Sequence, residues 1–377
     1  MLEEAGQVVH QLIERNPGGN LRAAGNLTLS PWNPLAMQRV TKAVEHFRPD
    51  VAHVHNTWFA MSPAVIRTLK KAGIPVVMTL HNYRLTCANG LLYRDGAPCE
   101  LCVGSHPWHA VRYGCYRGSR AESLPAAATI DLHRRLGTWT GHVDVFIALT
   151  EFQRDLMIRA GLPQEKITVK PNFVADPGPR PAPPSRSNVV LYVGRLSEEK
   201  GIRVLLEAWR GVALPDLELV IVGDGPDRRF LEGNQPPGAR LIGSVSPAEV
   251  RNIMLSARAL VMPSLCFEGM PMVLLEAFAA QLPAAVSDGG PPAQIVGAAL
   301  GPRWVFQSAD PASLSEALRK MRDDAWCDSS GGLARKAFEA DFATSRAADR
   351  LLDIYQPLPG QWKKESGKER RRTPNDL

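Results

Sequence analysis

"VADPGPRPAPPSRS", residues 174–187, carries five prolines and no hydrophobic period. Proline fixes φ and removes a backbone donor, so this run cannot extend a helix or a central strand. The chain reads alike on either side of it. Before it, "PDVAHVHN" (49–56), "IPVVMTLHN" (74–82) and "VDVFIALT" (143–150) are short apolar runs rich in β-branched residues. The helical patterns "SPAVIRTLKKAG" (62–73) and "EFQRDLMIRAG" (151–161) stand between or after them, each ended by glycine. After it the alternation restarts. "NVVLYVG" (188–194), "LELVIVG" (217–223), "ARLIG" (239–243), "ALVMPSL" (259–265), "LPAAVSD" (282–288) and "RWVFQ" (303–307) read as strands. "GIRVLLEAWRGV" (201–212), "PAEVRNIMLSA" (247–257), "PMVLLEAFAAQ" (271–281) and "PASLSEALRKMRDD" (311–324) read as the helices between them. Continuous apolar strands alternating with amphipathic helices mean a parallel sheet covered on both faces.

The expected fold is therefore α/β, with two doubly wound, Rossmann-like domains facing each other across a cleft. The expected divisions are a first domain over 1–173, a proline-rich linker over 174–187 and a second domain over 188–338. A C-terminal helix over 339–357 and a disordered basic tail over 358–377 follow. Ligands of such folds lie beyond the carboxyl ends of the strands, and two facing domains hold them in the cleft.

Composition agrees. A chain of 377 residues exceeds one ordinary core, and 45% hydrophobic with 22% charged residues fits a globular protein. No apolar run is long enough to span a bilayer and the start lacks a basic-then-apolar signal, which makes the cytoplasm the expected location. Of the net charge of +6, the stretch "QWKKESGKERRRTPNDL" (361–377) contributes +3. It reads as a solvated end, with a foothold on anionic lipid at the inner membrane face as the second reading.

The strand ends carry the chemistry. "LYVGRLSEEKG" sets Arg195 and Lys200 beside a helix start, a pattern suited to phosphate oxygens; a surface cation pair beside Glu198 and Glu199 would look the same. The glycine spacing of a nucleotide-hydrolase phosphate loop is absent. Gly223 and Gly225 in "LVIVGDGP" allow a close ligand approach, or an ordinary tight turn. In "SLCFEGMPMVLLEAFAAQ" (264–281), Glu268 precedes a Gly-Met-Pro turn and Glu276 sits eight residues on, with Val273, Leu274, Leu275, Ala277 and Phe278 on every side of it, which argues against a helix face turned to water. Pro271 suits the first helical position, leaving the amides from Gly269 to Met272 free to meet an anion. A carboxylate accepts two hydroxyl protons at once, so Glu276 suits a vicinal diol such as ribose. His81, His55 and Asn56 stand at two strand ends of the first domain.

Taken together, the hinge, "VGRLSEEKG", "VGDGP" and the Glu-x7-Glu of "EGMPMVLLE" resemble the retaining glycosyltransferases of family 4, with the GT-B fold, over about Leu2 to Tyr355. The resemblance implies sugar transfer from a nucleoside diphosphate sugar to a glycan or lipid-linked acceptor, in polysaccharide or cell-envelope synthesis, with no metal required for catalysis. It assigns the diphosphate to Arg195 and Lys200 and the donor ribose to Glu276. Glu268 falls beside the transferred sugar, and Gly269, Met270 and Met272 support phosphates or sugar through their amides. His81 takes a catalytic or sugar-contacting role, and His55 and Asn56 line the acceptor side. Relatives open with a strand and a Gly-rich loop, whereas "MLEEAGQVVHQL" resembles the end of the helix that follows them. About twenty residues of that opening unit are expected to be missing. A weakly active or inactive scaffold of the same fold is therefore the alternative, with a nucleotide-sugar epimerase a weaker one.

Four of the six cysteines fall in "TCANGLLYRDGAPCELCVGSHPWHAVRYGCYRGS" (86–119): Cys87, Cys99, Cys102 and Cys115. This C-x2-C flanked by two further cysteines reads as a structural Zn²⁺ site, or as four ordinary thiols, with His106 and His109 as substitute ligands. Cys266 and Cys327 read as core thiols. A zinc-dependent nucleic-acid binder would not explain the phosphate pattern in the second half, so no nucleic-acid partner is expected.

Overall fold

The computed structural model describes residues 2–14 and 27–358. The basic tail beyond Leu358, and the lipid foothold read from it, lie outside the described residues. Two parallel sheets form. The first runs β1 (Ala52–Val54), β2 (Val76–Thr79), β5 (Val145–Ala148) and β6 (Ile167–Val169) in that spatial order. β6 was not read from the sequence, because "ITV" is three residues long and ends at Lys170 and a proline. Between β2 and β5 the cysteine segment folds as a hairpin, β3 (Tyr93–Arg94) with β4 (Ala97–Pro98), followed by helices.

The second sheet contains β7 (Val189–Val193), β8 (Glu218–Val222), β9 (Ala239–Gly243), β10 (Ala259–Met262), β11 (Ala284–Ser287) and β12 (Val305–Phe306). Its spatial order is β12-β11-β10-β7-β8-β9, so the chain winds one way from β7 and the other way from β10. The crevice between β7 and β10 is the topological switch point, where doubly wound sheets bind ligands. The core of this domain is one contiguous cluster. Leu191, Val220, Leu260 and Ala285 from the strands meet Leu205, Leu274 and Phe278 from the helices, all essentially without exposure.

The chain crosses between domains twice, side by side. Val174 N–H donates to Phe342 O at 3.0 Å, and Thr344 Oγ1 donates to Val174 O at 2.9 Å. The proline-rich connection is docked on the second domain rather than hanging free. Arg180 donates to Met254 O and Ala280 O, both at 3.1 Å, tying the connection to the carboxyl ends of two helices. Ser185 binds both oxygens of Asp328. The helix expected over 339–357 is shorter than read. A π-turn (Phe338–Phe342) and a short 3-10 turn precede it, and it spans Ala347–Tyr355. Its Leu351 and Tyr355 return to the first sheet and bury against Val77 and Ile147.

Candidate active site

The loops that leave β7 and β10 meet at the switch point. Leu265 N–H donates to Glu199 O at 2.9 Å. A Cβ on Gly201, whose φ is +68°, would lie 1.8 Å from Pro263 O, so only glycine lets these loops close. Lys200 and Glu268 come together there. Lys200 Nζ donates to Glu268 Oε1 at 2.5 Å, and Ser264 Oγ donates to the same oxygen at 2.7 Å. Burial disfavours the Lys200 ammonium, but the Glu268 charge outweighs it and the net shift is upward. Arg195 beside it is exposed, and its guanidinium has no partner among the described residues.

The glycines read as ligand approaches or tight turns pack closely on the neighbouring loop. A Cβ on Gly223 would stand 1.9 Å from Gly194 O, and one on Gly225 2.3 Å from Leu196 O. At both positions backbone meets backbone between adjacent strand-end loops. The helix expected to begin at Pro271 begins one residue later. Pro271 is its extended cap residue (ψ 124°), and the helix Met272–Ala279 has no side-chain cap. The amides of Gly269 and Met270 make no hydrogen bond among the described residues. The Met270 side chain is buried at the domain junction, where its Sδ accepts from Asn172 N–H at 3.1 Å.

Glu276 corrects a sequence argument. Its apolar neighbours suggested that the whole helix circumference was enclosed. The residue is exposed, one turn from exposed Met272, so a stripe of this short helix stays open to solvent. Its carboxyl pKa is still raised by the partial loss of water, with Arg251 opposing.

On the first domain, His55 and His81 follow β1 and β2. His55 Nδ1 and His81 Nε2 lie 2.9 Å apart. His53, two residues before His55 and not singled out in the sequence, stacks on it at 4.3 Å and binds Thr79 Oγ1 at 2.7 Å. Desolvation, then neighbouring positive charge, lowers His53 to about 3 and His81 to about 4; His55 is lowered for the same reasons, with Lys170 as the charge. Asn56 Oδ1 accepts from Trp58 N–H at 3.1 Å and so shapes its own turn.

Contacts between the domains converge on Glu268 and its loop. Tyr83 Oη donates to Glu268 O at 3.2 Å. Asn172 Nδ2 donates to Met270 O at 3.3 Å. A Cβ on Gly269 would be 3.4 Å from His81 O, which places His81 at the opposite lip of the same crevice. The hairpin sends Tyr93 Oη to Glu198 Oε1 at 3.0 Å, linking the cysteine segment to the Arg195–Lys200 loop. The strand-end rule pointed to none of Tyr83, Tyr93 or Asn172, since Tyr83 and Asn172 lie in irregular loops and Tyr93 in the short hairpin.

Cys87, Cys99, Cys102 and Cys115 line one small cavity. Among the described residues, however, no three His, Cys, Asp or Glu side chains stand in metal-holding geometry. Cys87 donates to Asn89 Oδ1 at 2.9 Å, and burial, with neighbouring thiols, pushes Cys102 up to about 12. His106 and His109 stack on each other at 4.2 Å. Cys266 and Cys327 are buried.

Two facing parallel sheets with a charged crevice at the second one's switch point define the GT-B glycosyltransferase class. The family model described as glycosyl transferase 4-like domain matches residues 3–172, and that described as glycosyl transferases group 1 matches residues 179–337. The chain is 30% identical over 316 residues to a putative teichuronic acid biosynthesis glycosyltransferase, TuaC, of Bacillus subtilis, covering 82% of this chain and 71% of that one. Its fold is similar to that of Anabaena HepE in complex with UDP, with TM-score 0.63, 16% identity, and coverage of 88% and 84%. A second similar fold is sucrose-phosphate synthase of Thermosynechococcus elongatus, with TM-score 0.64, 18% identity, and coverage of 87% and 78%. The chain belongs to the group 1 (family 4-like) glycosyltransferases. No helix among the described residues is long and apolar enough to cross a membrane.

Proposed function

We propose that the protein transfers a sugar, with retained configuration and without a catalytic metal, from a nucleoside diphosphate sugar to a glycan or lipid-linked acceptor in polysaccharide or cell-envelope synthesis. The observation that carries this reading is the Lys200–Glu268 pair beside an unpartnered Arg195 at the switch point. The UDP complex of one similar fold and the teichuronic acid assignment of one relative support the donor and the setting. Departure of the nucleoside diphosphate builds negative charge on its phosphates. Lys200, Arg195 and the amides of Gly269 and Met270 stabilise that charge as it grows. The sugar meanwhile gains oxocarbenium character. As Lys200 turns to the phosphates, the Glu268 carboxylate is released to hold sugar hydroxyls or offset that positive charge. His81, neutral at pH 7, offers a ring nitrogen to a sugar hydroxyl, and exposed Glu276 accepts the two hydroxyls of a ribose.

A panel of nucleotide sugars incubated with the purified chain tests this. Hydrolysis or transfer of one member, with the donor's anomeric configuration kept in the glycoside, supports the proposal. Binding of none contradicts it. For the cysteine segment, the sequence-based proposal is a structural zinc ion. The shared cavity supports it and the thiol geometry opposes it. One zinc per chain, released by a thiol reagent, would support it, whereas metal-free folded protein removes it.

A further inference from the structure

The carboxyl ends of β1, β2 and β6 gather Lys170 and three histidines. Lys170, the residue after β6, is 8% exposed. Its ammonium has three donors, yet its one hydrogen bond among the described residues is a 3.4 Å contact to Pro171 O, and the Phe173 ring lies 4.9 Å away. The charges acting on this group of four are basic. Lys170 acts on His53 and His55, the histidines act on one another, and Arg350 acts on Lys170. Arg350 is itself paired with Asp341 at 3.5 Å, and no carboxylate among the described residues pairs with Lys170. A buried charge without a counter-ion is strongly unfavourable unless something else supplies the opposite sign. The His55–His81 hydrogen bond uses one nitrogen of each ring, leaving His55 Nε2 and His81 Nδ1 without protein partners among the described residues. Two residues beyond Lys170, Asn172 touches Met270 of the donor-side loop, so this basic group borders the same crevice.

We propose that Lys170, His55 and His81 form a receptor for an oxyanion, a phosphate ester or carboxylate, carried by the sugar acceptor. This rests on the transferase reading above and names the acceptor's chemistry. The donor's diphosphate has its own cations, Lys200 and Arg195, on the other domain, and no hydrogen bond among the described residues links the two sets. An anionic acceptor would be held by the first domain with its nucleophilic hydroxyl directed at the sugar on the second. With His81 Nε2–H donating to His55 Nδ1, the oxyanion replaces the missing counter-ion of Lys170 and accepts from His55 Nε2–H, while His81 orients that ring and keeps Nδ1 as an acceptor.

Titration with inorganic phosphate, followed through histidine ring signals in NMR, tests the proposal. The His55 and His81 signals should shift in the wild type and shift equally in Lys200→Ala, where one of the donor's two cations is gone. In Lys170→Met the binding should weaken at least about tenfold, and Lys170→Arg should retain it. Melting temperatures of the variants report whether they fold. Signals that stay still in the wild type, or move equally in Lys170→Met, overturn the proposal. Loss of the shift in Lys200→Ala assigns the anion to the donor and also overturns it. Undiminished nucleotide-sugar binding by Lys200→Ala would sink the donor reading while leaving this one standing.

Discussion

The crevice is lined by two cationic groups built on opposite electrostatic plans. On the second domain, Lys200 carries its own counter-ion: Glu268 sits 2.5 Å away, and the pair is stable before any ligand arrives. On the first domain, Lys170 and its histidines have none among the described residues, and their pKa values are driven down. A cation with an internal partner must be handed over when phosphate binds, which frees the partner for other work. A cation without one is held ready for a ligand at the expense of stability. The first plan suits catalysis, where charge has to move with the reaction. The second suits recognition of a group that does not change.

The largest break in this comparison comes from Lys200. Lys200→Ala should lower kcat/KM for the nucleotide sugar by about 100-fold or more, with the fold intact by circular dichroism. Retention of full turnover would end the phosphate role. A smaller effect is expected at Lys170. Lys170→Met should weaken acceptor use by about tenfold, the scale of one hydrogen bond to a charged group. The same substitution should leave the melting temperature unchanged or raised, because it removes an uncompensated buried charge. A clear fall in melting temperature would mean that Lys170 is structural.

The two regions should also fail at opposite ends of the pH scale. His53 and His81 have folded pKa values near 3 and 4, below the unfolded 6.5. The unfolded chain therefore binds more protons in between, and the stability these rings contribute is complete above pH 6.5 and lost as pH falls toward 4. Lys200 has a raised folded pKa, so its contribution is complete below about pH 10.5 and lost as pH rises through that raised value. Thermal melts across both ranges measure the two arms. Phosphate should protect the acid arm, because it favours the protonated histidines. Equal acid loss with and without phosphate would separate the cluster from anion binding. The smallest expected effect is at Tyr93→Phe. Loss of its bond to Glu198 should raise the donor KM only a few-fold, on the scale of about 1 kcal/mol, with kcat nearly unchanged.

Much of this architecture was legible in the sequence because strand and helix periods alternate cleanly and prolines mark the crossing at 174–187. The meeting of Lys200 with Glu268 was within reach of the sequence too, since Arg195, Lys200 and Glu268 stand in loops that directly follow readable strands. Glu276 was misjudged because composition along a helix says little about which side a neighbouring element covers. At Gly223 and Gly225 the sequence left a ligand approach and a tight turn both open, because a glycine admits a close approach without saying to what. His55 and His81 were named from the sequence, but their grouping with Lys170 escaped notice because β6 is too short to read and because the members lie far apart in sequence. His53 was missed despite a readable signal: it stands two residues before His55, on the same face of a strand. The cysteine spacing brought four thiols to one cavity, but spacing alone does not set sulfur-to-sulfur geometry.

The central claim is that a donor diphosphate displaces Glu268 from Lys200 at the switch point. A crystal structure of the protein with whichever nucleoside diphosphate it binds most tightly tests this directly. The account predicts the phosphates within ion-pair distance of Lys200 Nζ and the Arg195 guanidinium, with the Glu268 carboxylate turned away from Lys200. A nucleotide bound elsewhere, with the 2.5 Å Lys200–Glu268 contact intact, would contradict it.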